Sequence, residues 1–107
     1  MLESTRLKIC QQAIEHWMYN LLLCHAGDYS HVDYHAESCP LCENFNDIGC
    51  TTCPMAQIKN CCNADGSPWD GVVDAFFWEN RCDRIRACER MLRAVEKACA
   101  HLMNRGY

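Results

Sequence analysis

Two C-x-x-C turns, Cys39-Pro40-Leu41-Cys42 and Cys50-Thr51-Thr52-Cys53 with Pro54 behind them, constrain this chain more than any other stretch. Each turn lets two sulfurs converge on one ion, and two turns supply the four thiolates of a closed tetrahedral zinc site. Seven residues separate the pairs, fewer than the roughly 15–20 of the commonest two-pair pattern. Gly49, directly before Cys50, gives the backbone the freedom to turn back within that short span. The spacing predicts a four-cysteine metal knuckle with Cys39, Cys42, Cys50 and Cys53 as ligands and zinc as the ion. An iron–sulfur cluster takes the same ligands and is the alternative cofactor, since Cys53-Pro54 echoes the Cys-Pro step of some ferredoxins. The lack of a longer ferredoxin spacing favours zinc.

Eleven cysteines in 107 residues would otherwise suit a secreted disulfide scaffold. Their number is odd, however, and Met1 to Lys8 lacks the cationic segment and apolar run of a signal peptide. The expectation is a single domain in a reducing cytoplasm, holding metal-bound and buried thiols, for which a metal adds substantially to a modest core. Ile14 to Cys24 is interrupted by Glu15, His16 and Asn20, so no membrane span is expected.

Apolar periodicity predicts helices at both ends. Leu7, Cys10, Ile14, Trp17, Leu21 and Cys24 recur three and four apart, the narrow seam of a helix packed on a helix, over about 5–26. Ser4 or Thr5 is the expected N-cap and Gly27 the left-handed stop. Met18, Leu22 and Leu23 widen the apolar surface towards the knuckle. A second helix, whole or broken, covers about 67–104. Ser67-Pro68-Trp69-Asp70 opens it as a capping box with proline in the first turn, and Asn80 to Asp83 interrupts it. Ile85, Cys88, Leu92, Val95, Cys99 and Leu102 then repeat the first seam. Set antiparallel, the two seams place Cys10 near Cys99, Ile14 near Val95, Trp17 near Leu92 and Leu21 near Cys88. The expected fold is all-α: an antiparallel helical hairpin with the metal knuckle and loops, residues 28–66, in its long connection. Gly106 closes the last helix.

Within the connection, Pro54 to Asn60 is expected to form a short helix that returns Cys61 and Cys62 towards the metal as extra ligands. His31 and His35 lie four apart and can hold a second ion only on a helical segment, so surface placement is the favoured reading.

Charge is unevenly spread. From Arg81 to Arg105 there are seven bases against three acids, a net of +4, leaving three bases against eleven acids elsewhere, a net of −8. Arg86, Arg90, Arg93 and Lys97 recur at helical spacing and form one basic stripe. A solvated face with Glu89 pairing Arg93 is the plainer reading of it. Tyr29, Tyr34 and Trp69 are expected to be exposed aromatics, the two tyrosines serving as anchors for a partner. With the narrow seams, they also suit a homodimer.

Trp17-x-x-Asn20, a polar loop, Cys39-Pro40-Leu41-Cys42 with Phe45, Cys50-x-x-Cys53-Pro54, a later cysteine and Pro68 before an aromatic residue together resemble a group of small bacteriophage proteins. The likeness covers about residues 17–69. This chain departs from it in doubling the later cysteine as Cys61-Cys62 and lengthening the run to Pro68. The resemblance implies a phage product acting in the bacterial cytoplasm, where small proteins of this kind bind and inhibit or redirect a host protein. It supplies no activity.

No Ser-His-Asp or Cys-His pair, glycine-rich phosphate loop or H-E-x-x-H stands in the sequence, and thiolate-saturated zinc has no open position for water. His16, His25 and His101 read as surface or interface residues. An enzyme is therefore not expected. A zinc-stabilised host-protein-binding module is the leading expectation. A nucleic-acid-binding regulator using the basic stripe and an iron–sulfur redox or sensor protein are the alternatives.

Overall fold

Two long helices set the dimensions of the molecule. In the computed structural model, which describes residues 2–35, 38–45, 53–62, 64–77 and 81–105, the elements are α1 (Glu3–Ala26), a 3-10 turn (Tyr29–His31), α2 (Pro40–Phe45), α3 (Pro54–Gln57), α4 (Pro68–Phe77) and α5 (Arg81–Arg105). There is no strand among the described residues. The 24 residues of α1 span about 36 Å at ~1.5 Å per residue, close to the 39 Å long axis. No helix is long and apolar enough to cross a membrane among the described residues.

α1 and α5 run antiparallel. The Arg6 guanidinium donates to the Leu102 carbonyl at 3.3 Å near one end, and the Cys24 and Cys88 sulfurs lie 3.6 Å apart near the other. Between them Cys10 and Cys99 exchange S–H···O contacts with each other's carbonyls at 3.8 and 3.9 Å. The pairing of Cys10 with Cys99 is as expected, and Cys88 meets Cys24 in a buried cluster on whose edge Leu21 packs.

The seams themselves are turned from the expected ones. Cys10, Ala13, Trp17, Asn20 and Cys24 are buried along α1, while Ile14 and Leu21 are half-buried and Leu7 is exposed. On α5 the buried line is Cys88, Met91, Val95, Ala98, Cys99 and Leu102, with Leu92 half-buried. The cause is a second neighbour on each helix. α1 packs on α5 and α2, and α5 packs on α1, α3 and α4, so each buried face is centred between its partners. Small Ala13, Ala94 and Ala98 sit in the core, where larger side chains would hold the backbones apart. Leu23 is buried, but Met18 and Leu22 are exposed and do not reach the connection.

The helix ends follow local chemistry. Leu2, not Ser4 or Thr5, precedes the first turn of α1 and supplies no side-chain cap. Gly27 adopts φ 76°, with its N–H on the Cys24 carbonyl and that of Asp28 on the Leu23 carbonyl, the two bonds of a Schellman stop. At the start of α4, Ser67 Oγ accepts the Asp70 N–H at 3.1 Å, as the capping box requires. Asp70 returns its bond to the Gly66 N–H, one residue earlier than expected.

α4 ends at Phe77 and α5 begins at Arg81, the expected break at Asn80 lies outside the described residues, and Asp83 lies inside the first turn of α5 instead of capping it. Arg84 bridges the junction: its guanidinium donates to the Ala75 and Phe76 carbonyls at the end of α4, at 3.3 and 3.5 Å, and is buried. A cation there offsets the partial negative charge of those carbonyls. Cys50, Gly49 and Gly106 lie outside the described residues.

Candidate metal centre and basic face

Cys39 and Cys53 begin α2 and α3 in the same way. Each stands directly before a proline whose fixed φ suits the first helical position, and each gives its carbonyl to the first helical bond, from Glu43 N and Gln57 N respectively. Leu41 and Met55, two residues on from each cysteine, are both driven into the core. The next position is Cys42 in the first turn and Ala56 in the second, so α3 lacks the thiol its counterpart carries.

After α3 the chain reverses sharply. Lys59 takes φ 65°, its N–H bonds to the Ala56 carbonyl, and the Asn60 N–H bonds to the Met55 carbonyl. This is the Schellman arrangement with lysine in place of glycine, and it turns Cys61 and Cys62 back over α3. Cys39, Cys42, Cys53, Cys61 and Cys62 consequently line one small cavity of about 20 Å³ with Leu41, Met55 and Ala56. The expected return of Cys61 and Cys62 is thus observed. Burial, followed by the nearby Cys39, Cys53, Cys42 and Cys61 sulfurs, pushes the Cys62 thiol up to about 12.

The sulfurs share a cavity without forming a tetrahedron: among the described residues no group of three or more Cys, His, Asp or Glu is placed to hold an ion. No disulfide joins the described cysteines. The chemistry of the lining fits a thiophilic ion, because five thiols and an apolar wall, with no carboxylate, make up the described lining residues. Since α2 packs on α1, α3 packs on α5 and the two short helices touch, an ion there would tie the long helices together through their connection.

Asn20 positions the approach to this cluster. It is 2% exposed, and its amide embraces the backbone of Asp33: Nδ2 donates to the carbonyl at 2.9 Å and Oδ1 accepts the N–H at 3.2 Å. His16 Nε2 donates to the same carbonyl at 2.9 Å, so its 3.5 Å separation from Asn20 Nδ2 is the spacing of two donors on one acceptor. One residue later the Trp69 indole donates to the Tyr34 carbonyl at 2.7 Å. These bonds run the chain across α1 and α4 before it reaches Cys39. A lone asparagine within an apolar helix gives little warning of that role.

The aromatics expected at the surface belong to the interior. Tyr34 stacks on Phe76 with ring centres 5.0 Å apart, Tyr29 meets the same ring edge-on at 6.4 Å, and all of Tyr29, Tyr34 and Trp69 are half-buried. Arg84 lies 4.4 Å over the Tyr29 ring and 5.1 Å over that of Phe76. The features offered for a homodimer, narrow seams and exposed aromatics, are therefore used within one chain. His31 is exposed and pairs with Asp28 at 2.8 Å, holding that carboxyl below its usual range, and His35 is exposed. The second-ion reading finds no ligand set among the described residues. His101 bonds Gln57 at 2.8 Å and joins α5 to α3, while His25 stays exposed.

A second thiol pair, Cys24 and Cys88, is sealed between α1 and α5. The bond from Cys88, with a smaller contribution from Arg84, holds Cys24 below its ordinary value against the effect of burial, while the same bond and burial push Cys88 far up.

The basic stripe is a real surface feature. Arg86, Arg90, Arg93 and Lys97 are all exposed; all four line a hollow of about 360 Å³ together with Glu89, and Arg86 and Arg90 also line a neighbouring one of about 350 Å³ together with Asp74 and Asp83. None of the four is in an ion pair among the described residues, and the expected Glu89–Arg93 pair is not formed. Arg90 also donates to the Gly66 carbonyl at 3.0 Å, which ties it to the turn before α4. Comparison with protein-family models, curated proteins and solved structures finds no match to this chain.

Proposed function

We propose that this chain is a metal-stabilised helical module that binds an acidic surface on a partner protein. The observation that carries the reading is the alignment of four exposed cations along one hollow, with no ion-pair partner among the described residues, on a chain whose remainder is acidic. Such an arrangement attracts negative charge over a distance and accelerates encounter. The thiol cluster takes the structural part in this reading, with Cys39, Cys42, Cys50 and Cys53 as the four ligands of a zinc ion that fixes α2 and α3 between the long helices. A thiolate-saturated ion has no position for substrate, so the reading assigns no catalysis.

The resemblance to small bacteriophage proteins makes the partner a bacterial host protein met in the cytoplasm. Nucleic acid is the competing partner, favoured by the same four cations, and the acidic remainder of the chain weighs against it.

The experiment is capture from a nuclease-treated bacterial lysate by wild type and by the variant Arg86→Glu/Arg93→Glu/Lys97→Glu, which spares the structural bond of Arg90. A protein retained by wild type, weakened by salt and lost by the folded variant supports the reading. Retention of that protein by the variant rejects the stripe. Recovery of nucleic acid alone from an untreated lysate transfers the function to the alternative class.

A further inference from the structure

We propose that Cys24 and Cys88 are a redox site, two thiols that hydrogen peroxide closes into a reversible disulfide joining α1 to α5. Their sulfurs face each other across the two long helices, 3.6 Å apart. A disulfide holds them at about 2.05 Å, so closure needs an approach of about 1.5 Å, the scale of side-chain torsion and not of helix rearrangement. Cys10 and Cys99 also meet across α1 and α5 but are turned differently. Each of those sulfurs contacts the other residue's backbone carbonyl, at 3.8 and 3.9 Å, so their S–H groups are engaged with oxygen.

The surroundings suit Cys24 as the thiol that reacts first. Arg84 stands one helical turn before Cys88 on α5 and is buried at the same end of the helix pair. The bond from Cys88 and, to a smaller extent, the Arg84 charge hold the Cys24 thiol below its ordinary value against the effect of burial, which favours the reactive thiolate. Both thiols are sealed, Cys24 at 1% and Cys88 at 0% exposure, so the oxidant has to be small and the end of α1 has to open. Cys24 lies two residues before that end at Ala26, with His25 and Ala26 exposed beside it, and terminal turns are among the parts of a fold that open most readily.

The chemistry balances with peroxide as the two-electron oxidant. The Cys24 thiolate attacks one peroxide oxygen and breaks the O–O bond, giving a sulfenic acid and a hydroxide that takes up the proton Cys24 released. The Cys88 sulfur then displaces the sulfenic oxygen, and the Cys88 proton leaves with it as water. Two thiols and one peroxide become one disulfide and two waters. The link closes a loop between residues 64 apart, which contains the thiol cluster, α3 and α4. It would hold the two ends of the connection together independently of any metal.

The test treats the purified wild-type protein with hydrogen peroxide under native conditions, removes the excess with catalase, alkylates the remaining thiols in denaturant, and digests with trypsin and chymotrypsin for mass spectrometry. The expected product is the Cys24 peptide joined to the Cys88 peptide, with the link undone by dithiothreitol. The oxidised protein should unfold about 10 °C or more above the reduced protein, because the cross-link restricts the unfolded chain. Cys88→Ala should instead accumulate sulfenic acid at Cys24, trapped by dimedone, with no rise in midpoint. The wild-type experiment alone decides the matter if that variant fails to fold. Recovery of Cys24 and Cys88 as free thiols after other cysteines have been oxidised, conversion of Cys24 to sulfinic acid with Cys88 intact, or a 24–88 link that forms only in denaturant would overturn the proposal.

Discussion

Replacing Asn20 by alanine should destabilise the fold by more than any single polar contact at the surface can. The side chain is buried and makes two bonds to the Asp33 backbone. Each is worth about 1 kcal/mol net, and the Asp33 N–H loses the acceptor it has here, which raises the expected loss to about 2–3 kcal/mol. At roughly 4–8 °C per kcal/mol for a domain near 100 residues, the midpoint should fall by about 8–24 °C. His16→Ala provides the internal control. The Asp33 carbonyl keeps Asn20 as a donor in that variant, so the loss should stay near or below about 1 kcal/mol. The two residues share one acceptor, and the double variant should therefore lose more than the two single losses together. Thermal unfolding followed by far-ultraviolet circular dichroism measures all three. An Asn20→Ala shift no larger than that of His16→Ala would show that the loop is held by other means and would refute the reasoning.

Arg84→Met keeps most of the aliphatic bulk but removes the guanidinium from the α4 carbonyls and the Tyr29 and Phe76 rings, and should cost about 1–2 kcal/mol in denaturant unfolding. An unchanged midpoint would mean that relief of its burial offsets those contacts. Lys59→Gly should raise stability by about 0.5–1 kcal/mol by removing the left-handed strain, net of glycine's greater chain entropy, and a lowered midpoint would contradict this. The Asp28 carboxyl lies below its usual pKa through its bond to His31, so its stabilising contribution is present above the unfolded value near 4 and is lost as pH falls through the lower folded value. Asp28→Asn should flatten that limb of the stability profile, and an identical acid limb in the variant would exclude the bond as its source.

Legibility in the sequence depended on how local the signal was. Gly27 and Ser67-Pro68-Trp69-Asp70 were readable because a helix end is decided by a few adjacent residues. The antiparallel pairing of Cys10 with Cys99 followed from matched spacing. The seams failed by about one residue, since periodicity counted large apolar side chains and passed over Ala13, Ala98 and Asn20. Those residues are buried because α1 and α5 are each packed from more than one side, and a linear pattern does not carry that fact. Tyr29 and Tyr34 look like surface residues in a polar loop, and only Phe76 and Arg84, more than 40 residues on, make an interior for them. The gathering of Cys39, Cys42 and Cys53 with Cys61 and Cys62 was legible from the C-x-x-C spacing and the short helix after Pro54, whereas the Ser67 hydroxyl that holds the Cys62 carbonyl was not.

X-ray absorption at the metal edge of the purified protein tests the central claim most directly, because it counts sulfur neighbours without relying on any variant. The account predicts about one zinc per chain surrounded by four sulfurs at about 2.3 Å, in a colourless protein. A metal-free protein that is fully folded, an iron edge with short iron–iron distances, or a zinc shell dominated by nitrogen and oxygen would contradict it.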